Sequence, residues 1–537
     1  MKARAIMVLG TSSHVGKSLL TAALCRIFAQ QGHRVAPFKS QNMSLNSAAT
    51  IEGLEIGRAQ ALQAEAARVP PSVHMNPILI KPSGDNSSQV IVLGRIWGRV
   101  TAADYHRKRV MELLPIVRDS FETLASQYDI IILEGAGSPA EINLKQHDIV
   151  NMRMAEMAGA HCLLIGDIDR GGVFASLLGT LELLEPSERE RIRGFAINKF
   201  RGDASLLEPG IQMMESRVHK PCLGIIPYLH ALMLEEEDSL GLPAKTQTQW
   251  SFERMSDRSP DRPLRIAVIA LPSFSNFTDF DSLRAESSVA LIFCRTAETI
   301  EQADVVVLPG SKQTVDDLLW MRSQGLDRAI ERYSRSGLVV GICGGMQMLG
   351  AAIIDPLGME RSGSAVGLGL LPIQTIMQTN KVTQNISGQM AETVLFGQTV
   401  ARSNVSGYEI HIGQTIYLEG ARHFAVLSPD SGSARATTDG CIGADSRIFG
   451  TYLHGLFDDD GFRHQFLSAA RAFHHLAPPE QLHPWKQLRE ESLNRLAREV
   501  ENALDMETIF DWVGLPYRRT SFSEENFDRS QRQGTTR

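Results

Sequence analysis

The six cysteines of this 537-residue chain are far apart, and no two of them form a Cys-x-x-Cys pair. That spacing argues against a zinc knuckle or a disulfide framework and for a reducing compartment. No stretch approaches the ~18 apolar residues of a membrane span. The apolar run within Met1–Gly10 is too short for a signal peptide and leads straight into a glycine-bounded loop. Both absences predict a cytoplasmic protein with no membrane partner. Charge of one sign is lacking too: the net charge of -7 gives no electrostatic reason to expect nucleic acid or an anionic membrane. There is no internal repeat and no low-complexity tract. What remains is a globular composition, 43% hydrophobic and 21% charged, on a chain too long for one core. A usual domain size of roughly 100–200 residues implies two large domains or three smaller ones.

Short aliphatic runs recur, among them Ile6–Leu9, Ile130–Leu133, Cys162–Ile165 and Phe195–Asn198, each leading to a turn and a longer amphipathic segment. This alternation predicts parallel strands joined by helices and buried on both faces. It stops over 244–263, a polar stretch punctuated by proline that reads as a linker. It restarts at Leu264–Leu271 and continues through Val305–Leu308 and Leu338–Ile342. The expected fold class is therefore α/β, with two doubly wound, mostly parallel-sheet domains over 1–243 and 264–476. Leu488, Leu493, Leu496, Val500 and Leu504 recur at helical spacing, which predicts a helical extension over 477–515. The polar residues 516–537 are expected to be disordered.

Gly10-Thr-Ser-Ser-His-Val-Gly-Lys-Ser18 follows the first strand and opens a helix. Glycine lets the backbone approach an anion, successive N–H groups point at it, and the helix N-terminus adds favourable potential. Thr11, Gly16, Lys17 and Ser18 are thus candidate ATP-binding residues, with Lys17 reaching the terminal phosphates and Ser18 placed to hold Mg²⁺. Strict Walker spacing would put glycine where Thr11 stands, so the loop resembles the dethiobiotin-synthetase type. The bland alternative is a chance Gly-Lys-Ser in an ordinary strand–helix turn, which its position at the first such junction disfavours. Glu134 ends a second buried strand, where an acid can share the metal with Ser18.

Leu338-Val-Val-Gly-Ile-Cys-Gly-Gly-Met-Gln-Met-Leu-Gly350 predicts a buried strand, a sharp turn and a helix, with Cys343 at the turn. Glycines on both sides allow a strained elbow that lifts the sulfur above the sheet edge, and the helix N-terminus favours a thiolate. A packed structural cysteine is the alternative, which three flanking glycines disfavour. A backbone N–H near Gly310, with that of Gly344, makes a candidate oxyanion hole. His454 follows the elbow in the order and spacing of the class I glutamine amidotransferases, which this half resembles, and that resemblance makes it the general base. Those enzymes carry Glu two residues after the histidine, where this chain has Leu456. A third member must come from elsewhere, and Glu409 and His411 are the candidates to orient the imidazole.

The remaining motifs narrow the acceptor. They are Ala36-Pro-Phe-Lys-Ser-Gln-Asn-Met-Ser-Leu-Asn46, Gly57-Arg-Ala-Gln60, Met75-Asn-Pro-Ile-Leu-Ile-Lys-Pro82, Asp85-Asn-Ser-Ser-Gln-Val90, Asp167–Ser176 and Ile197–Asp203. With the elbow and Tyr408-Glu-Ile-His411, they closely resemble the cobyric acid synthase family, over about Ala5 to Leu476. The resemblance implies an ATP- and Mg²⁺-dependent ligase that takes ammonia from glutamine and amidates four carboxylates of a corrinoid, adenosylcobyrinic acid a,c-diamide. It implies that Asn198 and Lys199 form an adenine-side loop. It also implies that Lys39, Gln41, Asn42 and Asp148 lie near the substrate or acyl phosphate. Lys39 could equally be a solvated lysine and Asp148 a helix cap; Arg170, beside two glycines, could meet substrate carboxylates or be a plain turn. Two other readings stand beside this one. One is the sister enzyme that amidates the a and c carboxylates, and the other a nucleotide switch with an inactive amidotransferase domain.

Overall fold

The computed structural model describes residues 3–82, 87–101, 104–105, 109–230, 232–235, 259–361, 363–430, 436–479, 481 and 483–519. Most of the expected linker, the tail from 520 onward and the Asp85-Asn86 start of one motif lie outside the described residues. Both halves are α/β and built on mostly parallel sheets. In the first, six parallel strands lie in the order Cys222–Pro227, Ile192–Phe200, His161–Asp167, Arg4–Gly10, Ile130–Glu134 and Val35–Phe38. Alternation of side chains along a strand explains how one strand feeds two cores. Met7 and Leu9 join the apolar cluster on one face, while Ile6 and Val8 join that on the other.

The second half repeats the plan. Val289–Cys294, Leu264–Ile269, Val305–Leu308, Leu338–Ile342 and Ile448–Thr451 are parallel, and Cys441–Ile442 closes the edge antiparallel. A second sheet is dominated by the long antiparallel pair Ile373–Met390 and Ser403–Tyr417. This pair reaches the first half. Asn385 Nδ2 donates to Thr50 O at 3.0 Å, and Lys381 and Lys81 flank the buried Glu55 carboxylate.

The C-terminal helices Trp485–Ala503 and Met506–Trp512 return to the first half. Leu493, Leu496, Ala497 and Val500 share a core with Leu24 and Phe28 of the helix Lys17–Gln30. Phe510 stacks on Phe28 with ring centroids 4.2 Å apart. A helix with an apolar stripe must bury it, and the free side of the phosphate-loop helix receives this one. Among the described residues, no helix is long and apolar enough to cross a membrane, and the six cysteines are free.

Candidate active sites

The phosphate loop spans the end of strand Arg4–Gly10 and the start of helix Lys17–Gln30. Gly16 has φ of +100°, and a Cβ there would stand 2.3 Å from Asn198 Nδ2, so glycine is required on two counts. Lys17 Nζ donates to Ser12 O at 2.9 Å and to Gly137 O at 3.0 Å, curling across the loop. Thr11 N donates to Ile165 O, tying the loop to the neighbouring strand. Asn198 Nδ2 donates to Val15 O at 2.7 Å, and Lys199 Nζ donates to His14 O at 2.6 Å while pairing with Asp167 at 2.8 Å. The two residues expected on the adenine side therefore clasp the phosphate loop itself.

Glu134 is the hub of this site. Its Oε1 accepts from Ser18 Oγ and from Lys39 Nζ, both at 2.8 Å, and its Oε2 accepts from Gln63 Nε2 at 2.6 Å. Lys39 is 3% exposed and ion-paired, so it is no solvated surface lysine. Asn42 is buried against Gln60, 3.0 Å away, and Gln41 Oε1 accepts from the Tyr105 hydroxyl. The Asp148 carboxylate takes the backbone N–H groups of Val150, Asn151 and Met152 at 2.8–3.1 Å, which favours the second of its two readings. These N–H groups lie just before and at the first residue of the helix Met152–Ala158, whose N-cap is Asn151, and N–H groups there have no intrahelical partner. Asn151 in turn brackets both backbone groups of Ala136, beyond Glu134, so Asp148 supports the loop from behind. Arg170 is exposed before Gly171 and Gly172, whose φ values of +78° and +70° make a tight turn.

In the second half, Cys343 sits between strand Leu338–Ile342 and helix Gly344–Leu349 with φ of +51° and ψ of -110°, a strained backbone for a residue with a side chain. Glycine is needed beside it: a Cβ on Gly345 would stand 1.9 Å from Leu308 O. The elbow therefore rests directly on the strand Val305–Leu308. Gly310 and Gly344 line the same turn. A Cβ on Gly310 would meet His454 Cε1 at 3.0 Å, and one on Gly344 would meet Ser311 N at 2.9 Å.

His454 is 1% exposed and interacts with the Cys343 side chain. Its orienting partner is neither Glu409 nor His411. Asp279 Oδ2 lies 2.7 Å from His454 Nδ1 across 175 residues of sequence, and Asp279 Oδ1 accepts from Gly455 N at 2.9 Å. Burial pushes the imidazole down, but the Asp279 carboxylate and Cys343 outweigh it and carry it up to about 10. Glu409 is instead bonded to Gln384 Nε2 at 2.8 Å, and burial with the nearby Asp439 raises it to about 7. His411 stacks on Tyr452 at 3.8 Å and places Nδ1 2.8 Å from Gly413 O; burial lowers it to about 4, which keeps it neutral. Sequence reasoning missed Asp279. The signal was the vacancy at Leu456 together with an acid in the loop after the first strand of that half, at the carboxyl edge where such sites gather.

The turn Phe277–Phe280 that carries Asp279 is gripped by the first half. Asn276 Oδ1 accepts from Ser47 N at 3.0 Å, and Asn46 Oδ1 accepts from Phe277 N at 3.3 Å. A phosphate loop with its hub carboxylate and a Cys–His–Asp array thus share one chain, the constellation of a nucleotide-binding synthetase joined to an amidotransferase. Comparisons with known proteins agree: residues 6–241 match the family described as the CobQ/CobB/MinD/ParA nucleotide binding domain, and residues 265–462 the CobB/CobQ-like glutamine amidotransferase domain. A protein named cobyric acid synthase from Thermoanaerobacter sp. is 46% identical over 94% of this chain and 98% of its own. One of the same name from Moorella thermoacetica is 48% identical over 96% of this chain and 98% of its own. The chain belongs to the cobyric acid synthase family.

Proposed function

We propose that this chain amidates the b, d, e and g carboxylates of adenosylcobyrinic acid a,c-diamide, using one ATP and one glutamine for each amide. The observation that carries the reading is the pairing of the Ser18–Glu134 and Cys343–His454–Asp279 constellations on a chain similar to the named relatives over nearly its whole length. In this reading the synthetase unit is 1–243 completed by 477–515, and the amidotransferase unit is 264–476.

On the glutamine side, the Cys343 sulfur attacks the carboxamide carbon. The backbone N–H groups of Gly310 and Gly344 receive the developing oxyanion. His454 gives a proton to the departing nitrogen, so ammonia leaves and a thioester remains. Water then cleaves the thioester and glutamate is released. Asp279 holds the imidazole with Nε2 turned to the sulfur and stabilises its charged form, as the third member of a triad does.

On the nucleotide side, Lys17, Lys39 and Lys199 bring positive charge to the terminal phosphates. An acceptor carboxylate takes the γ-phosphoryl group and ADP departs; ammonia then attacks the acyl carbon, phosphate leaves with the bonding pair, and the nitrogen gives up a proton. Ser18 and Glu134 are adjacent hard oxygen donors of the kind that suit Mg²⁺. When bound there, the ion would neutralise charge on the phosphates. The test is to incubate the purified protein with glutamine, ATP and Mg²⁺ and either cobyrinic acid or its a,c-diamide, counting added amides by mass. Four amides on the diamide are expected. No amidation of the diamide would sink the reading, and two amides on cobyrinic acid would favour the sister reaction.

A further inference from the structure

The nine-residue helix Arg58–Ala66 touches both sites. Toward the phosphate loop, its Gln63 Nε2 donates to Glu134 Oε2 at 2.6 Å and to Ser18 O at 3.3 Å. Toward the other half, its first residue, Arg58, places its guanidinium over the Tyr408 ring, 5.6 Å from the centroid. That ring stacks on the His454 imidazole, with centroids 5.3 Å apart and planes inclined by 18°. Tyr408 and His454 also exchange two backbone hydrogen bonds, of 3.1 and 2.9 Å. A displacement of Tyr408 is therefore passed directly to the histidine.

The helix is braced at both ends by one residue of the C-terminal helix. Arg58 pairs with Glu235 at 2.9 Å, Glu235 with Arg489 at 2.8 Å, and Arg489 with Glu65 at 2.5 Å. Around this circuit Tyr408 Oη, Asp458 Oδ1 and Glu235 Oε2 are buried with no hydrogen-bond partner among the described residues. Burial of this junction makes each charge–ring and charge–charge contact stronger than it would be in bulk water. At the far end, Ser18 and Lys39 share Glu134 Oε1 while Gln63 holds Oε2. Any ligand that draws on that carboxylate changes what Gln63 can hold.

We infer that the helix Arg58–Ala66 couples the two half-reactions, with Arg58 as a positioning residue for glutamine hydrolysis that acts through the Tyr408 ring on His454. The inference rests on the proposed role of Cys343 and His454 in hydrolysing glutamine. It adds a residue of the nucleotide-binding half to the machinery of the other.

The test measures glutamate release and amide formation on the full chain, with and without ATP, Mg²⁺ and the diamide. Wild-type glutamate release, measured first, bears on the proposed function alone. In Arg58→Gln, glutamate release under full conditions is expected to fall about 3- to 30-fold, in kcat rather than in KM for glutamine. The stimulation by ATP and diamide is expected to fall toward one, while amidation from ammonium salts stays within about twofold of wild type. Arg58→Lys, which keeps the cation, and Tyr408→Phe, which keeps the ring and loses only a hydroxyl with no hydrogen-bond partner among the described residues, should retain most of the activity. Tyr408→Leu should match Arg58→Gln, and the double variant should be no worse than either. Unchanged stimulation in Arg58→Gln, a parallel loss of ammonium-driven amidation, or damage by Tyr408→Phe equal to that by Tyr408→Leu would each overturn the coupling.

Discussion

The phosphate loop itself is one contiguous stretch, residues 10–18, to which Lys39, Gln63, Glu134, Asn198 and Lys199 are added from elsewhere, whereas around Cys343 every partner comes from a separate segment, near 279, 310 and 454. The two places also differ in what they hold fixed. Lys17, Lys39 and Lys199 are held by local carbonyls and carboxylates. Cys343 is a strained backbone position clamped by strands, and its histidine is locked by an acid on one edge and an aromatic ring on its face. An anion-binding loop is set by consecutive backbone dihedrals, while a nucleophile needs partners from several segments held in one geometry.

That contrast can be broken or sharpened experimentally. The largest effect is expected for Lys17→Ala, which should abolish amidation from both glutamine and ammonium salts, read as amide product by mass. Retained activity from either nitrogen source would remove the loop from the mechanism. Cys343→Ala should abolish glutamine-driven amidation alone and spare the ammonium-driven reaction, since ammonia from solution is chemically the same. Loss of both would mean that the two regions are not separable. Asp279→Asn should lower glutamine hydrolysis by roughly 10³–10⁴-fold, the scale of losing the acid of a catalytic triad, again sparing ammonium. If Glu409→Gln did this instead, the assignment of the orienting acid would be wrong.

Gly345→Ala tests the rigidity of the elbow. With Leu308 O in the way of a Cβ, it should cost about 3 kcal/mol of unfolding free energy, measured by denaturant titration. An effect of similar size concerns pH. His454 is held above its unfolded value by Asp279, so their pairing contributes fully below about pH 6.5 and is lost as pH rises through about 10. Between pH 7 and 10 the stability advantage of wild type over Asp279→Asn should therefore shrink, by at most about 1.4 kcal/mol per pH unit. An advantage that grew with pH would reverse the sign of the pairing.

Much of each site was legible in the sequence, but unevenly. Gly16, Lys17, Ser18 and Glu134 could be placed because a strand end, a glycine turn and a helix start are local patterns. Cys343 could be placed for the same reason, and His454 through its order in the chain. Asp279 could not. Its own neighbourhood, Ser273-Phe-Ser-Asn-Phe-Thr-Asp-Phe280, carries no motif, and it became the partner of His454 only when parallel strands brought two loops to one sheet edge. Asp148 could be read two ways, because an acid in a loop looks the same whether it faces a ligand or holds backbone N–H groups.

The sequence by itself determined the two kinds of chemistry. Successive backbone N–H groups around a phosphate, and a strained turn under a sulfur, both depend on consecutive dihedral angles that local residues dictate. Only the tertiary structure decided which acid orients His454, that the C-terminal helices complete the first half, and that Arg58 lies over Tyr408. Those are contacts over a few ångströms between residues far apart in the chain, and charge–charge and charge–ring forces depend on distance in space rather than on separation in sequence.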